Sequence, residues 1–443
     1  MDYMTLKEKY NKFIYHSYNY QVKDNKLEIN YDFEIENLTS FKPTWKIDII
    51  KEYEYNKEVL DELVFSLGMV ELVSYYKAVM SNQIIIKCHH LNEEQINFWR
   101  KLYLNGLGEF FYLNKIDYLN VNIDIISESI KKYQPTTYSI PKNQDTLIPI
   151  GGGKDSIVTI ELLKNKVNSI PYVINPRGAT LATIEKSNLK DAIFSYRTID
   201  KNLLELNKQG YLNGHTPYSA IVAFSSTIAS LINGLSYVAL SNENSANEPT
   251  IIGTTINHQY SKSFEFEEDY INYEKKYINS NVSYFSLLRG YSELKIASLF
   301  SKCKNYHDIF KSCNVGSKND IWCGSCPKCL FVYIILSPFL SKEELIKIFD
   351  KNLLNDLSLL NDFKKLTGLA SEKPFECVGS RDEVNASIQY LIDNNKEELD
   401  NLLKYYKDNY KGEKYSIKPI IDEFNYDNAI PNVFMEILKN EQI

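Results

Sequence analysis

From about residue 26 to 50 the chain alternates polar and apolar side chains (KLEINYDFEIENLTSFKPTWKIDI), the period of half-buried antiparallel strands. The period then lengthens. Over VLDELVFSLGMVELVSYYKAVM the apolar residues recur every three or four positions and predict a helix; QIIIKC predicts a strand and NEEQINFWRKLYLNGLGEFFY a second helix. Residues 1–140 are therefore expected to form an N-terminal α+β domain, with the polar stretch at 139–146 as a joint. Beyond it, TLIPI, SIPYVINP and LSYVALSNENSA read as short strands, while IVTIELLK and PYSAIVAFSSTIASLING read as helices, the latter ending in Gly. Such alternation predicts an α/β fold, a parallel sheet with helices on both faces. We expect this domain to span 141–380 and a mainly helical extension to occupy 381–443.

Between the first of these strands and its helix lies Gly151-Gly152-Gly153-Lys154-Asp155-Ser156. A loop there directs backbone N–H groups and a helix N-terminus at one point, an environment that favours phosphate oxygens, and the missing Cβ atoms let phosphates approach. A strained turn explains a glycine triplet equally well in isolation. The spacing matches neither the GxxxxGK[ST] loop nor the GxGxxG turn. It resembles the SGGxDS loop of the ATP pyrophosphatase superfamily, with Gly151 where that loop has Ser. The resemblance implies that the loop amides and Ser156 hold pyrophosphate, that Asp155 helps hold Mg²⁺, and that Lys154 reaches a phosphate or is simply solvated.

Cys313, Cys323, Cys326 and Cys329 are spaced C-x9-C-x2-C-x2-C, with Cys303 to spare. Thiolates at this spacing suit a closed tetrahedral zinc site, structural because no coordination position stays open; a redox CxxC is the competing reading. The metal would fix the loop around Trp322 and Lys328. A similar cluster accompanies the same glycine loop in 7-cyano-7-deazaguanine synthases.

Charge narrows the partners. Lys plus Arg number 50 against 57 Asp plus Glu, a net −7, so no global basic field draws nucleic acid or an anionic bilayer. The apolar runs CLFVYIILSPFL and AIVAFSSTIASLI fall short of the roughly 20 residues a membrane helix needs. The start of the chain lacks a secretory pattern, and we expect a cytoplasmic location. The 34 tyrosines accompany visible enrichment in Asn, Lys and Ile, which points to compositional bias rather than a stacking surface.

Further segments carry a narrower resemblance: VELVSYYKA at 70–78, LYLNGLGEF at 102–110, LNGHTPYSAI at 212–221, SNENSA at 241–246, NHQYSKSFEFE at 257–267, YFSLLRGYSEL at 284–294, IWCGSCPKCLFVYIILSPFL and KPFECVG at 373–379. With the glycine loop and the cysteines, they are similar to the UDP-N-acetyl-α-D-muramoyl-L-alanyl-L-glutamate epimerase family over about residues 25–380. The resemblance implies an ATP- and Mg²⁺-dependent isomerase of peptidoglycan biosynthesis, and so of cell-wall biogenesis and cell shape. Its small-molecule substrate would be the UDP-MurNAc-dipeptide, and AMP and diphosphate would be released. A proton acid and base must stand near the glutamate Cα, and the matching segments offer His215, Cys377 and His258, with Glu376 as an alternative. His215 and Cys377 are preferred, although a lone His or Cys is commonly structural. Arg177, His258, Lys262 and Arg289 are candidates for substrate anions, since guanidinium groups grip them bidentately. Asn242 and Glu243 follow a parallel strand, where ligands bind in such sheets. A deazaguanine-synthase-like ligase and a non-catalytic zinc module are the rival readings; oligomeric state stays open.

Overall fold

The computed structural model describes residues 2–131, 133, 135, 143–247, 257, 259–316, 319–396 and 398–440. Much of the expected joint at 139–146 lies outside them. One sheet runs through the protein. Its strands are β1 (Lys12–Lys23), β2 (Lys26–Ile35), β3 (Thr39–Phe41), β4 (Thr44–Asp48), β5 (Gln83–Ile86), β6 (Asp124–Ser127), β7 (Thr146–Pro149), β8 (Ser169–Ile174), β9 (Ile193–Thr198), β10 (Tyr237–Leu240) and β11 (Ser283–Ser286). They are ordered β11-β10-β7-β8-β9-β4-β2-β1-β5-β6, with β3 paired to β2.

The pairing from β11 to β9 is parallel throughout, and β7 sits where the chain reverses direction across the sheet, with β8 on one side and β10 on the other. That is the doubly wound order, whose crevice opens beyond the carboxyl ends of the central strands. β9 then pairs antiparallel with β4, placing Trp45 opposite Arg197 and Ile47 opposite Ser195, so the N-terminal meander continues the same sheet. Strands β1, β6, β9 and β11 carry too little clean alternation to be read from the sequence; in β9, Ser195 is buried while Tyr196 is exposed.

Consecutive residues of the central strands belong to different cores. Leu147, Tyr172, Val238 and Tyr284 join one apolar cluster, and Ile148, Val173, Ala239 and Phe285 the other. Strand side chains alternate faces, so both faces are covered, as the unbroken apolar texture of these strands requires. The first core is filled largely from the N-terminal part, by α1 (Lys57–Glu71), α2 (Glu93–Gly106) and α3 (Gly108–Leu113); the helix expected over 92–112 is broken at Leu107. Many tyrosines are spent here: Tyr15, Tyr31, Tyr75, Tyr76 and Tyr103 are among the largest fully buried side chains.

α4 (Lys154–Leu163) and α5 (Gly178–Ser187) follow β7 and β8, and α6 (Tyr218–Asn233) precedes β10, ending at Gly234 with φ 64° as a left-handed cap. α7 (Glu293–Lys302) and α8 (Pro327–Leu336) build the second core. Helices continue to Lys439, and Phe434 returns to the sheet, its ring centroid 5.0 Å from that of Tyr237 and 4.7 Å from that of Phe285. Among the described residues, no helix is long and apolar enough to cross a membrane.

Candidate active site

The chain leaves β7 through the three glycines and turns into α4. Each glycine has a different reason to be there. Gly152 adopts φ 82°, and a Cβ on it would lie 3.1 Å from the Ala179 Cβ and 3.3 Å from the Ala179 carbonyl carbon. A Cβ on Gly153 would lie 3.2 Å from that of Ser312, while one on Gly151 would meet nothing within 4 Å. The Gly152 carbonyl accepts a hydrogen bond from the Lys311 amide at 2.8 Å, and Gly153 caps α4 without a side chain, leaving the N-terminal amides available for an anion. Ser156 Oγ donates to the Gly153 carbonyl at 3.1 Å.

Beneath the loop lies a buried ionic network. Lys154 is 2% exposed and donates to both Asp155 and Glu293 rather than reaching into the cavity. Burial opposes its charge, but the two carboxylates outweigh burial and hold its pKa above the ordinary value. One ammonium balances only one carboxylate. Burial, reinforced by Asp155 and Glu243, pushes Glu293 up to about 8 despite Lys154, whereas for Asp155 burial is outweighed by Lys154 and Lys328 and the carboxyl is held below its usual range. Arg289, expected to bind substrate anions, is fully buried: it donates to the Glu243 carbonyl at 2.7 Å, the Lys262 carbonyl at 2.6 Å and the Glu267 carboxylate at 2.8 Å. Its guanidinium thus ties the loop after β10 to the 260–262 turn behind the site. Glu243 is buried beside it, and Asn242 donates to Ser286 Oγ at 3.1 Å.

A cavity of about 640 Å³ opens above the loop. It brings together Gly151, Gly153, Asp155, Ser156, Arg177, His215, Asn242, Lys262 and Cys377 of the expected set. Lys154, Gly152, Glu243 and Arg289 are not on its lining, and His258 lies outside the described residues. Lys311, Lys328, Gln259 and Asp320 also line it and were not singled out as ligands from sequence. Asp320 accepts from the Gly178 and Ala179 amides at 3.1 and 3.0 Å, capping α5 from a distant loop, a role no local pattern announces. With Arg177, Lys262, Lys311 and Lys328 around it, the cavity suits a polyanion, and its volume suits a nucleotide-sized ligand. Asp155 is the carboxylate beside the glycines that fits a divalent cation.

The reactive candidates arrive from separate segments. His215 sits in the loop before α6, its Nδ1 3.6 Å from Glu109 Oε2 on α3. Cys377 lies beside Lys262, and its charge is the main reason the Lys262 ammonium is held above its ordinary pKa, with burial opposing and Glu243 and Asp155 assisting. Three bonds fasten the 376–378 segment: Lys328 Nζ to the Cys377 carbonyl, Asn314 Nδ2 to Glu376, and Gln259 Nε2 to the Val378 carbonyl at 3.2 Å.

Two of those anchors come from the cysteine cluster. The sulfurs of Cys313, Cys323, Cys326 and Cys329 all lie within 4.8 Å of one another. The separations Cys313–Cys326, Cys323–Cys329 and Cys326–Cys329 are 3.8, 3.7 and 3.5 Å. Thiolates about 2.3 Å from a tetrahedral zinc lie roughly 3.8 Å apart, so this donor set fits the metal, and the spacing excludes a disulfide. The Gly316 amide donates to Cys313 Sγ at 3.1 Å, the kind of bond that steadies a ligating thiolate.

Residues 4–287 match the MurL N-terminal domain and residues 308–417 the MurL C-terminal domain. A UDP-N-acetyl-α-D-muramoyl-L-alanyl-L-glutamate epimerase of Salinispora tropica is 36% identical over 346 residues, 75% of each chain. Proteins of the same name from a Micromonospora species and from Xanthomonas oryzae pv. oryzae are 34% and 33% identical, over 74% and 76% of each chain. Among solved structures, a ketoreductase domain from the bacillaene assembly line aligns with 14% identity and a TM-score of 0.22, over 55% of this chain and 83% of that one.

Proposed function

The chain belongs to the MurL family of UDP-N-acetyl-α-D-muramoyl-L-alanyl-L-glutamate epimerases, and from that premise we propose that it inverts the terminal L-glutamate of that peptidoglycan precursor at the expense of ATP. The observation that carries the reading is convergence. A Cβ-free loop at a helix N-terminus opens into the same cavity as an imidazole and a thiol from unrelated segments.

The chemistry accounts for each part. A carboxylate already bears charge, so withdrawing its α proton would place a second negative charge beside the first. Attack of the glutamate α-carboxylate on the α phosphorus of ATP forms a carboxyl-adenylate and expels diphosphate; the neutral carbonyl then accepts the charge as an enolate. The loop amides, Ser156, Lys311 and Arg177 bind the phosphates; Asp155 would hold Mg²⁺, which would supply positive charge against the leaving diphosphate. Lys262 and Lys328 supply positive charge near the enolate, and each 1.36 kcal/mol of stabilisation gives about tenfold in rate. His215 and Cys377 are the pair that removes the proton and returns one on the other face. Water then releases AMP and the D-glutamyl product. Cys313, Cys323, Cys326 and Cys329 would hold zinc, whose part would be structural, fixing the segments from which Lys328 and Asn314 reach the Cys377 segment.

The test is incubation with ATP and UDP-MurNAc-L-Ala-L-Glu in D₂O. Deuterium should enter the glutamate Cα together with AMP and diphosphate release. AMP formation without exchange would overturn the epimerase reading, and silence with this substrate would favour a ligase or a binding module.

A further inference from the structure

The segment 212–217 is fastened to the N-terminal part of the chain: the Leu212 amide donates to the Ala78 carbonyl at 3.2 Å, Asn114 Nδ2 to the Asn213 carbonyl at 3.1 Å, and Lys77 Nζ to the Gly214 carbonyl. A Cβ on Gly214 would lie 3.2 Å from the ring of Phe110, so the loop rests on the residue after Glu109. The same short helix, α3, therefore supports the loop and presents the Glu109 carboxylate to the imidazole. Glu109 is only 12% exposed at its side chain, which limits solvent screening of its charge.

We propose that Glu109 is a positioning residue for His215, holding the imidazole in the tautomer with its proton on Nδ1 and its lone pair on Nε2. This rests on the reading of His215 as a proton-transfer group. The 3.6 Å separation is within ion-pairing reach but longer than a formed hydrogen bond, as is common for such pairs before substrate closes the site. A carboxylate on one ring nitrogen fixes which nitrogen works as base and raises its basicity. Other charged groups near the histidine include Lys77, whose ammonium burial pushes down to about 8 with Arg197 assisting and Glu109 opposing. Arg197 is paired with Glu71 at 2.8 Å. Arg177, Asp155, Lys262 and Cys377 line the same cavity. Glu109 approaches Nδ1 at 3.6 Å. The arrangement also gives the N-terminal part of the chain a task in the chemistry: it carries the carboxylate that the histidine needs.

The test uses the full chain labelled with ¹⁵N-histidine, with the His215 resonance identified by its loss in His215→Gln. Wild type should show one neutral tautomer, protonated on Nδ1. In Glu109→Gln the His215 pKa should fall by about one unit and the tautomers should mix. Glu109→Asp should restore most of both. In the D₂O exchange assay, the acidic limb of the pH profile for kcat should move down by the same amount, with KM changing less than twofold. An unmoved His215 titration in a folded Glu109→Gln protein overturns the proposal, as does a wild-type tautomer protonated on Nε2. If Glu109→Gln does not fold, the tautomer in wild type and the titration in Glu109→Asp decide. A titration that follows Glu109 in a protein that exchanges no Cα proton refutes the epimerase reading and leaves the pairing standing.

Discussion

The three loop glycines separate backbone conformation from ligand approach, so they test the site one atom at a time. Gly152 stands at φ 82°, where an L-residue costs roughly 1–2 kcal/mol. An alanine there also meets the Ala179 Cβ at 3.1 Å and the Ala179 carbonyl carbon at 3.3 Å, and neither belongs to a flexible side chain that can swing away. Gly152→Ala should therefore lower stability by about 2 kcal/mol, or distort the loop and weaken ATP binding by about tenfold for each 1.4 kcal/mol of strain left unrelieved. Gly151→Ala meets nothing within 4 Å and should leave stability within about 0.5 kcal/mol. Because Gly151 faces the cavity, its substitution should be felt only when phosphate arrives. Gly153→Ala should fall between, and Ser312→Gly, which removes the Cβ 3.2 Å away, should rescue it. Urea unfolding gives the stabilities and titration with a fluorescent ATP analogue gives the affinities. Equal destabilisation by Gly151→Ala and Gly152→Ala would refute the reasoning, because only the second opposes both dihedral and neighbour.

Lys154→Met leaves the ionised Asp155 without its ammonium and should cost about 3–5 kcal/mol in urea unfolding at neutral pH, with Asp155→Asn in the same chain recovering most of it. Glu293 keeps its proton up to about pH 8 in the folded protein but only to about 4.5 when unfolded, so its contribution to stability is complete below 4.5 and drains away as pH rises through 8. Glu293→Gln should flatten that slope in unfolding measured from pH 5 to 9. Arg289→Met strands the buried Glu267 carboxylate and should destabilise by about 3–5 kcal/mol, whereas an anion-binding arginine would change KM and spare stability. The purified protein should hold one zinc per chain by elemental analysis, and Cys326→Ser should lose it and loosen the 376–378 segment, read as faster amide exchange there.

The glycine loop and the cysteine cluster were legible because each is local: the residues that cooperate lie within one short segment, residues 151–156 or 313–329, and their spacing is itself the signal. Strand and helix alternation from 146 onward was legible for the same reason, and the structure bears out helices on both faces of a large sheet. What escaped depends on long-range placement. The pairing of β4 with β9 joins residues about 150 positions apart, and neither strand's pattern names its partner. Arg289 has the chemistry of an anion ligand, and only its tertiary surroundings reveal that Glu267 and two carbonyls occupy it. Asp320 caps a helix more than 130 residues earlier, and Glu109 reaches a histidine about 100 positions further along the chain. Lys311 stood within reach of inference, two positions before the first clustered cysteine, yet its link to Gly152 is a backbone bond that no side-chain pattern encodes.

The β4–β9 seam bears on how this chain can be divided. Thr44–Ile47 and Ser195–Thr198 satisfy one another's main-chain groups, and Trp45 is wholly enclosed there. Fragments separated between these strands would each display a raw edge with a ready appetite for foreign strands. Covalent continuity thus keeps two adhesive pieces from arising, and the meander and the parallel half of the sheet are hard to part once this seam is zipped.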